Sequence, residues 1–239
     1  MEDVESVESV RAELRALADA DRAAGVARFF KTGPGEYGEG DRFLGLTVPQ
    51  LRRLARAHRA LPLGDVLALL DSEWHEERLL ALLLLVDAHD RADEAGRRRI
   101  LDAYLAHTAR VNNWDLVDAS AAGIVGPHVA PDELTLLDRL TASPSLWERR
   151  IAMVATYHHI RRDEMRPALH VAERLLDDRH DLIHKAVGWM LREVWKRDPA
   201  AAEAFLRAHH ARVPRTALRY AIERFDEPRR RRWLGGDLA

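Results

Sequence analysis

The sequence contains no cysteine among its 239 residues. Disulfide bonds, thiolate catalysis and cysteine-ligated zinc or iron–sulfur centres are therefore excluded. Lysine is nearly as scarce, because it occurs at positions 31, 185 and 196 and arginine supplies almost all of the positive charge. Any cationic site in this protein must consequently be built mainly from guanidinium groups.

Long apolar segments are also missing from the chain. The longest apolar run, Leu79 to Val86, is far shorter than the roughly 20 residues that a membrane-spanning helix needs. The acidic residues 1–10 lack the basic and apolar regions of a signal peptide. We therefore expect a cytoplasmic protein with no membrane partner. The net charge of −2 decides nothing about polyanions, because phosphate contact needs only a local basic face.

The pattern that is present is helical throughout. Apolar residues recur at intervals of three and four, and no segment alternates as a strand does. Prolines and the Gly33-Pro34-Gly35 turn divide the chain into about twelve or thirteen short helices. Comparable helix starts lie near positions 78, 118, 150, 185 and 215, so the steps are 40, 32, 35 and 30 residues. Steps of this length predict an α-solenoid of helical hairpins, with an irregular helical bundle as the alternative.

No internal linker divides the sequence. We predict a single domain over residues 1–239, with an acidic N-terminal tail over about 1–10 and a basic C-terminal tail over about 228–239. The run Arg229 to Arg232 is basic enough to touch a polyanion, although such runs are usually solvated.

Three motifs suggest chemistry that their context does not support. The Gly33–Gly38 segment matches G-x-G-x-x-G, but a helix precedes it where a dinucleotide loop needs a strand. His75-Glu76 starts like a zinc-protease motif, but position 79 is leucine. His180 and His184 have metal-ligand spacing without a third ligand. We therefore predict neither a metal nor a small-molecule cofactor.

The remaining candidates lie at successive helix starts. Trp114 and Asp118 are four residues apart and share one helical face. Taken singly, a tryptophan on such a helix is usually core, and an aspartate or arginine is usually solvated. The combination is less usual, because equivalent helices of a solenoid line one surface. The other candidates at these starts are Arg149, Arg150, Lys185, Trp189, Arg192 and Arg215.

Several sequence blocks, in order, resemble the DNA alkylation repair enzymes built from HEAT-like repeats, the AlkD-type DNA glycosylases. The blocks cover nearly the whole chain. They are Phe29 to Gly45, Pro49 to Arg52, Asn113 to Asp118, Trp147 to Ala152, and Lys185 to Glu193.

This resemblance implies an all-α solenoid of HEAT-like repeats with a concave basic groove. It implies that Asp118 is the catalytic aspartate and that Trp114 and Trp189 flank the sugar of the damaged nucleotide. It further implies that Arg150 contacts the DNA backbone, with Arg149 as the alternative. Lys185, Arg192 and Arg215 are then expected to contact phosphates.

The chemistry of these residue types agrees with the implied activity. Alkylation at purine N3 or N7 makes the base a cationic leaving group, and a carboxylate can stabilise the oxocarbenium character left on the sugar. We therefore predict a monofunctional glycosylase that acts on alkylated duplex DNA, and the resemblance implies that it does so without base flipping. We expect it to be a monomer and to be nucleoid-associated when bound to DNA. The alternatives are a non-catalytic DNA-binding protein of the same fold and a HEAT-type scaffold for a protein partner.

Overall fold

The computed structural model describes residues 6–238, which form fifteen α-helices, two short 3-10 helices and no strand. The chain divides into two compact units, whose described parts are residues 6–120 and 121–238. The boundary falls inside the helix Trp114–Ile124, which is α7. No helix in the described range has both the length and the apolar character needed to cross a bilayer.

The first unit is organised around a long buried helix, α5. Its run from Leu79 to Leu85 is apolar on every face, and the flanking helices α3, α4 and α6 pack against it. Side chains cap several helix starts in this unit, as Asp19 does for α2 and Asp93 for α6. The helices of this unit are α1 (Val7–Ala16), α2 (Ala20–Phe29), α3 (Val48–Ala57), α4 (Leu63–Leu70), α5 (His75–Arg91), α6 (Glu94–Ala106) and the first part of α7 (Trp114–Ile124).

The second unit has a corresponding central helix, α12, which packs against α9, α11, α13 and α14. Gly188 permits the close approach of α14, because a Cβ atom at this position would lie 2.6 Å from the Cβ of Tyr220. The helices of this unit are α8 (Thr135–Thr141), α9 (Leu146–Ala155), α10 (Tyr157–Ile160), α11 (Arg166–Arg174), α12 (Asp181–Arg197), α13 (Pro199–Ala208), α14 (Arg215–Ala221) and α15 (Glu227–Gly235).

The predicted all-α fold of helical hairpins is confirmed. The five predicted helix starts fall in α5, α7, α9, α12 and α14, and each of these is followed by a partner helix before the next one. The number of helices is higher than the twelve or thirteen expected, because short helices such as the four-residue α10 do not show a full period in the sequence.

The two predicted tails differ from the structure where it describes them. Residues 1–5 of the acidic segment lie outside the described residues, whereas Val7 begins α1 and Val10 is fully buried. The basic segment is helical over Glu227–Gly235, because its Trp233 is fully buried against Phe225 at a ring-centroid distance of 5.5 Å. Burial of Trp233 and the ion pair of Arg229 with Glu203 at 2.6 Å therefore hold a stretch whose arginines suggested a solvated tail.

Candidate nucleic-acid interface

Trp114 and Asp118 lie on the first two turns of α7, in the first unit. Trp114 is the first residue of the helix, and both side chains are partly exposed. Residues four apart on a helix are neighbours on its surface. The structure thus places an indole and a carboxylate side by side where a ligand can reach both.

A layer of aromatic rings supports Trp114. Phe30 stacks on the indole at a centroid distance of 5.2 Å, and Phe29 meets it edge-on at 5.9 Å. Phe30 is buried and stacks in turn on Phe43 at 5.3 Å. Phe29 is 66% exposed, which is unusual for so large an apolar side chain. The partly exposed aromatic surface around Trp114 is therefore larger than the indole alone.

Beneath this layer lies a buried cluster of charges centred on Asp41. Its carboxylate, 4% exposed, accepts hydrogen bonds from Arg78 at 2.6 Å, from Asn113 at 3.1 Å and from His75 at 3.2 Å. Burial alone would raise the pKa of Asp41, but the hydrogen bond with His75 and the charge of Arg78 lower it below the usual value. Asp41 is therefore ionised near neutral pH.

His75, at the start of α5, joins Asp41 to α7. Its Nδ1 faces the Asp41 carboxylate, and its Nε2 lies 2.8 Å from the Asp115 carboxylate. Burial disfavours the imidazolium, but the hydrogen bonds to Asp115 and Asp41 outweigh burial and raise the pKa of His75 to about 9. We call the Asp41–His75–Asp115 arrangement the His75 bridge.

Glu76, the neighbour of His75, holds the loop between α2 and α3. Its buried carboxylate accepts backbone hydrogen bonds from Leu44 at 2.9 Å, Gly45 at 2.8 Å and Leu46 at 3.3 Å. Gly45 has a φ of +84°, and an added Cβ would lie 2.8 Å from the backbone nitrogen of Ala23. The conformation and the lack of space both require glycine here. His75-Glu76, rejected as a metal motif, thus has a structural role in this unit.

The following turn of α7 is held from below by Tyr104 of α6. The Ser120 hydroxyl donates to the Leu116 carbonyl at 2.6 Å, so Tyr104, 3.0 Å away, donates its hydroxyl hydrogen to Ser120. Tyr104 is fully buried, and burial raises its pKa, so the phenol stays protonated. The helix that carries Asp118 is thereby anchored on its buried face.

The other predicted site residues belong to the second unit, where α9 carries both candidate arginines. Arg150 is buried and donates to the Leu182 carbonyl, in the first turn of α12, at 2.5 Å. Arg149 is partly exposed, pairs with Asp178 at 2.6 Å and donates to the Ser143 carbonyl at 3.0 Å. Both guanidinium groups are therefore engaged with the protein.

Helix α12 carries Lys185, Trp189 and Arg192 within two turns. Lys185 pairs with Asp181 at 2.8 Å, and Arg192 forms an ion pair with Glu223. Trp189 is partly exposed and lies 6.0 Å from the ring of Tyr157. The three side chains predicted to share a face therefore lie on one helix, and each contacts a different neighbour.

Arg215 begins α14, is exposed and donates to the Leu234 carbonyl. This contact ties the start of α14 to α15. Across residues 6–238, no group of three or more histidine, aspartate or glutamate side chains is arranged to hold a metal ion. His184 instead contacts the Asp178 carbonyl at 2.5 Å.

Sequence reasoning missed two features of the first unit. The His75 bridge joins positions 34 and 40 residues apart, and no local pattern reports such a contact. Helix α3 also presents Arg52, Arg53 and Arg56, all exposed, none of which has an ion-pair partner within the described chain. Three arginines within five residues on an amphipathic helix are a signal that could have identified this basic surface.

Paired helices that follow one another along the chain define an all-helical repeat protein. The family model described as "DNA alkylation repair enzyme" matches residues 10–225, and the chain belongs to this family. A solved structure of a predicted DNA alkylation repair enzyme from Enterococcus faecalis has the same fold, with a TM-score of 0.67 at 18% identity. The match covers 88% of this chain and 97% of that one. No curated protein sequence matches the chain.

Proposed function

We propose that the protein is a monofunctional DNA glycosylase that releases cationic N3- or N7-alkylated purines from duplex DNA without base flipping. The observation that carries the proposal is the pairing of Trp114 and Asp118 on one accessible face of a firmly anchored helix. Membership of the DNA alkylation repair family supports DNA as the substrate.

In this proposal Asp118 acts on the sugar rather than on the base. An alkylated purine already carries positive charge and leaves without protonation, so catalysis must stabilise the oxocarbenium character at C1′ and orient a water molecule. A fixed carboxylate does both, and a preorganised charge of this kind contributes about 10²–10³-fold to the rate. Trp114, on the same helix as Asp118, would contribute cation–π attraction to this developing charge, and we assign Trp189 of the second unit the same kind of attraction to a cationic lesion.

The cations of the second unit would hold the DNA backbone. Lys185 pairs with the exposed Asp181, and an exposed pair contributes only about 0–1 kcal/mol, so a phosphate can displace Asp181 at small cost. Arg192 is less exposed and pairs with Glu223, so it would have to leave this carboxylate to contact a phosphate. Arg150 is buried and oriented by the Leu182 carbonyl, which would limit it to a phosphate pressed close to α9. Arg149 and Arg215 complete the proposed set. Binding of this kind is sensitive to salt and largely independent of sequence.

The proposed mechanism uses no lysine to form a Schiff base with the sugar, so it predicts base release without strand cleavage. Lys185 is the one lysine in the proposed set, and we assign it to phosphate contact. The expected products are therefore the free base and an abasic strand that stays intact until it is treated with alkali.

The decisive experiment measures release of 3-methyladenine and 7-methylguanine from methylated duplex DNA. The wild-type protein should release both, and Asp118→Asn should reduce the single-turnover rate by about 100-fold or more. Affinity for DNA should stay equal or rise, because a negative charge near phosphates has been removed.

Asp102→Asn is the matched control, because Asp102 is an exposed aspartate of α6 in the same unit. It should excise at the wild-type rate. Full activity of Asp118→Asn would contradict the assigned catalytic role. A wild-type protein that bound DNA but released no alkylpurine would be a non-catalytic DNA-binding protein, and one that bound no DNA would favour the protein scaffold.

A further inference from the structure

Both ring nitrogens of His75 face carboxylate oxygens. Nδ1 lies 3.2 Å from Asp41 and Nε2 lies 2.8 Å from Asp115. Ionised carboxylates only accept hydrogen bonds, and a neutral imidazole carries a hydrogen on just one nitrogen. The geometry is therefore satisfied by the imidazolium, which donates to both sides.

The charges around His75 balance only when it is protonated. Asp41 and Asp115 supply two negative charges, and Arg78 with the imidazolium supplies two positive ones. The next charge outward, Arg110, repels Arg78 and is itself paired with Asp71. Loss of the His75 proton would leave one carboxylate facing a nitrogen lone pair in a buried position, which is costly.

Each end of the bridge controls the first turn of α7. Asp115 is the second residue of that helix, and its other oxygen accepts the Leu116 amide at 2.9 Å. Asn113, fully buried, donates to Asp41 and accepts the Trp114 amide at 2.8 Å. Two of the first amides of the helix, which have no partner inside it, are thus satisfied by side chains that the bridge fixes.

The aromatic layer also connects the His75 ring with Trp114. Phe30 lies 4.9 Å from the His75 ring on one side and 5.2 Å from the Trp114 indole on the other. Phe43 stacks on His75 at 4.7 Å. Movement of the imidazole would therefore reach Trp114 through the ring stack as well as through the helix start.

We propose that the doubly hydrogen-bonded His75 imidazolium is a positioning residue that fixes the first turn of α7 and so orients Trp114 and Asp118 toward the damaged nucleotide. The inference rests on the proposed function for its activity readout. His75 touches no substrate in this proposal and acts through Asp115 and Asn113.

The primary variant is His75→Gln, whose neutral amide can donate to one carboxylate but cannot bridge two on opposite sides. A displacement of about 1 Å at a reacting group costs up to about 100-fold in rate. We therefore expect the single-turnover excision rate to fall about 10- to 100-fold, with DNA affinity nearly unchanged. Normal excision by folded His75→Gln would overturn the proposal.

His89→Gln is the matched control. His89 is equally buried on the same helix, 14 residues further on and so about 21 Å away along the axis. It should keep the wild-type excision rate at a comparable loss of stability. An equal loss of excision in both variants would reduce His75 to a general structural role and overturn the proposal.

The pH profile separates positioning from folding. Because the pKa of His75 is raised to about 9, wild-type excision should decline as the pH approaches 9, after correction for spontaneous base loss. Asp115→Asn removes a carboxylate that raises this pKa, so the decline should move to lower pH. Asp115→Asn also tests the proposal if His75→Gln fails to fold. An identical profile in wild type and Asp115→Asn would overturn the proposal.

Hydrogen exchange tests the bridge without any enzymatic assay. The amides of Trp114 and Leu116 should exchange faster in His75→Gln than in His89→Gln at the same global stability, because their side-chain acceptors Asn113 and Asp115 are released. Unchanged exchange there would refute the anchoring itself. A wild-type protein without excision activity would instead refute the proposed function, while the exchange result would still report on the bridge.

Discussion

At the scale of single residues, Trp114 and Trp189 have different supports. Trp114 rests on the stacked ring of Phe30, whereas the aromatic neighbour of Trp189 is Tyr157, at a tilt of 41°. Aromatic pairs contribute about 0.5–1.5 kcal/mol beyond the area they bury. We therefore expect Trp114 to keep its orientation without DNA, and Trp189 to adjust more to a ligand.

This difference leads to a prediction for Trp189→Ala. If the indole attracts the cationic lesion site, its removal should reduce the ratio of affinities for methylated and unmodified duplex by about 2- to 30-fold, which corresponds to about 0.5–2 kcal/mol of cation–π attraction. Fluorescence anisotropy with two otherwise identical duplexes measures the ratio.

Trp195→Ala is the control for this experiment. Trp195 is on the same helix, but it packs on Phe225 at 5.4 Å and donates to Glu203 at 3.2 Å. Its removal should lower stability and leave the affinity ratio unchanged. Equal loss of affinity for both duplexes in Trp189→Ala would exclude a role in recognising damage.

At the scale of helices, Gly188 sets how closely α12 and α14 pack. Gly188 faces the Ala217 carbonyl and Tyr220, and a methyl group there has no room. Gly188 also directly precedes Trp189, so any shift of α12 moves a predicted site residue. Packing and the proposed site are therefore coupled in this helix.

We expect Gly188→Ala to destabilise the protein by about 1–3 kcal/mol, because overpacking forces the two helices apart. Gly25→Ala is the opposite case, since Gly25 lies inside the exposed face of α2 with nothing within 4 Å of the added methyl group. It should stabilise the protein by about 0.5–1 kcal/mol through helix propensity. Urea denaturation measures both, and a neutral Gly188→Ala would show that α14 can move aside freely.

The helices were predictable because their signals are local. Apolar periodicity and proline positions are read within one segment, and they located the starts of α5, α7, α9, α12 and α14. The loop before α3 and the His75 bridge depend on buried carboxylates that meet partners more than 30 residues away. The burial of Arg150 could not be predicted from the sequence either, because its contact with the Leu182 carbonyl depends on how α9 packs on α12.

At the scale of the whole molecule, the net charge of −2 conceals a dense set of internal pairs. Asp138 pairs with both His170 and Arg174, and Glu77 forms ion pairs with Arg11 and Arg15. Arginines that are neutralised in this way are poor sources of long-range attraction. Helix α3, whose arginines have no such partners in the described chain, is therefore the better candidate for first contact with a polyanion.

His75, His158 and Asp41 are three of the groups whose shifted pKa values make the stability of the protein depend on pH. His75 has a folded pKa of about 9 against 6.5, so its contribution is complete below 6.5 and is lost as the pH rises through 9. Burial and the nearby Arg162 lower the pKa of His158 to about 4, so its contribution is complete above 6.5 and is lost as the pH falls toward 4. The pKa of Asp41 is lowered below its ordinary value of 3.8, so its contribution to stability is present above pH 3.8 and is lost as the pH falls further.

We therefore expect the free energy of unfolding to be greatest near pH 6.5 and to fall on both sides. Urea titrations followed by circular dichroism between pH 4 and 9.5 measure this dependence. His75→Gln should flatten the alkaline side, and His158→Gln should flatten the acid side, because each removes the group that binds or releases the proton. The two histidines lie in different units, so the two effects should be additive in the double variant. Wild-type stability that was equal at pH 6.5 and 9.5 would contradict the protonated His75 bridge.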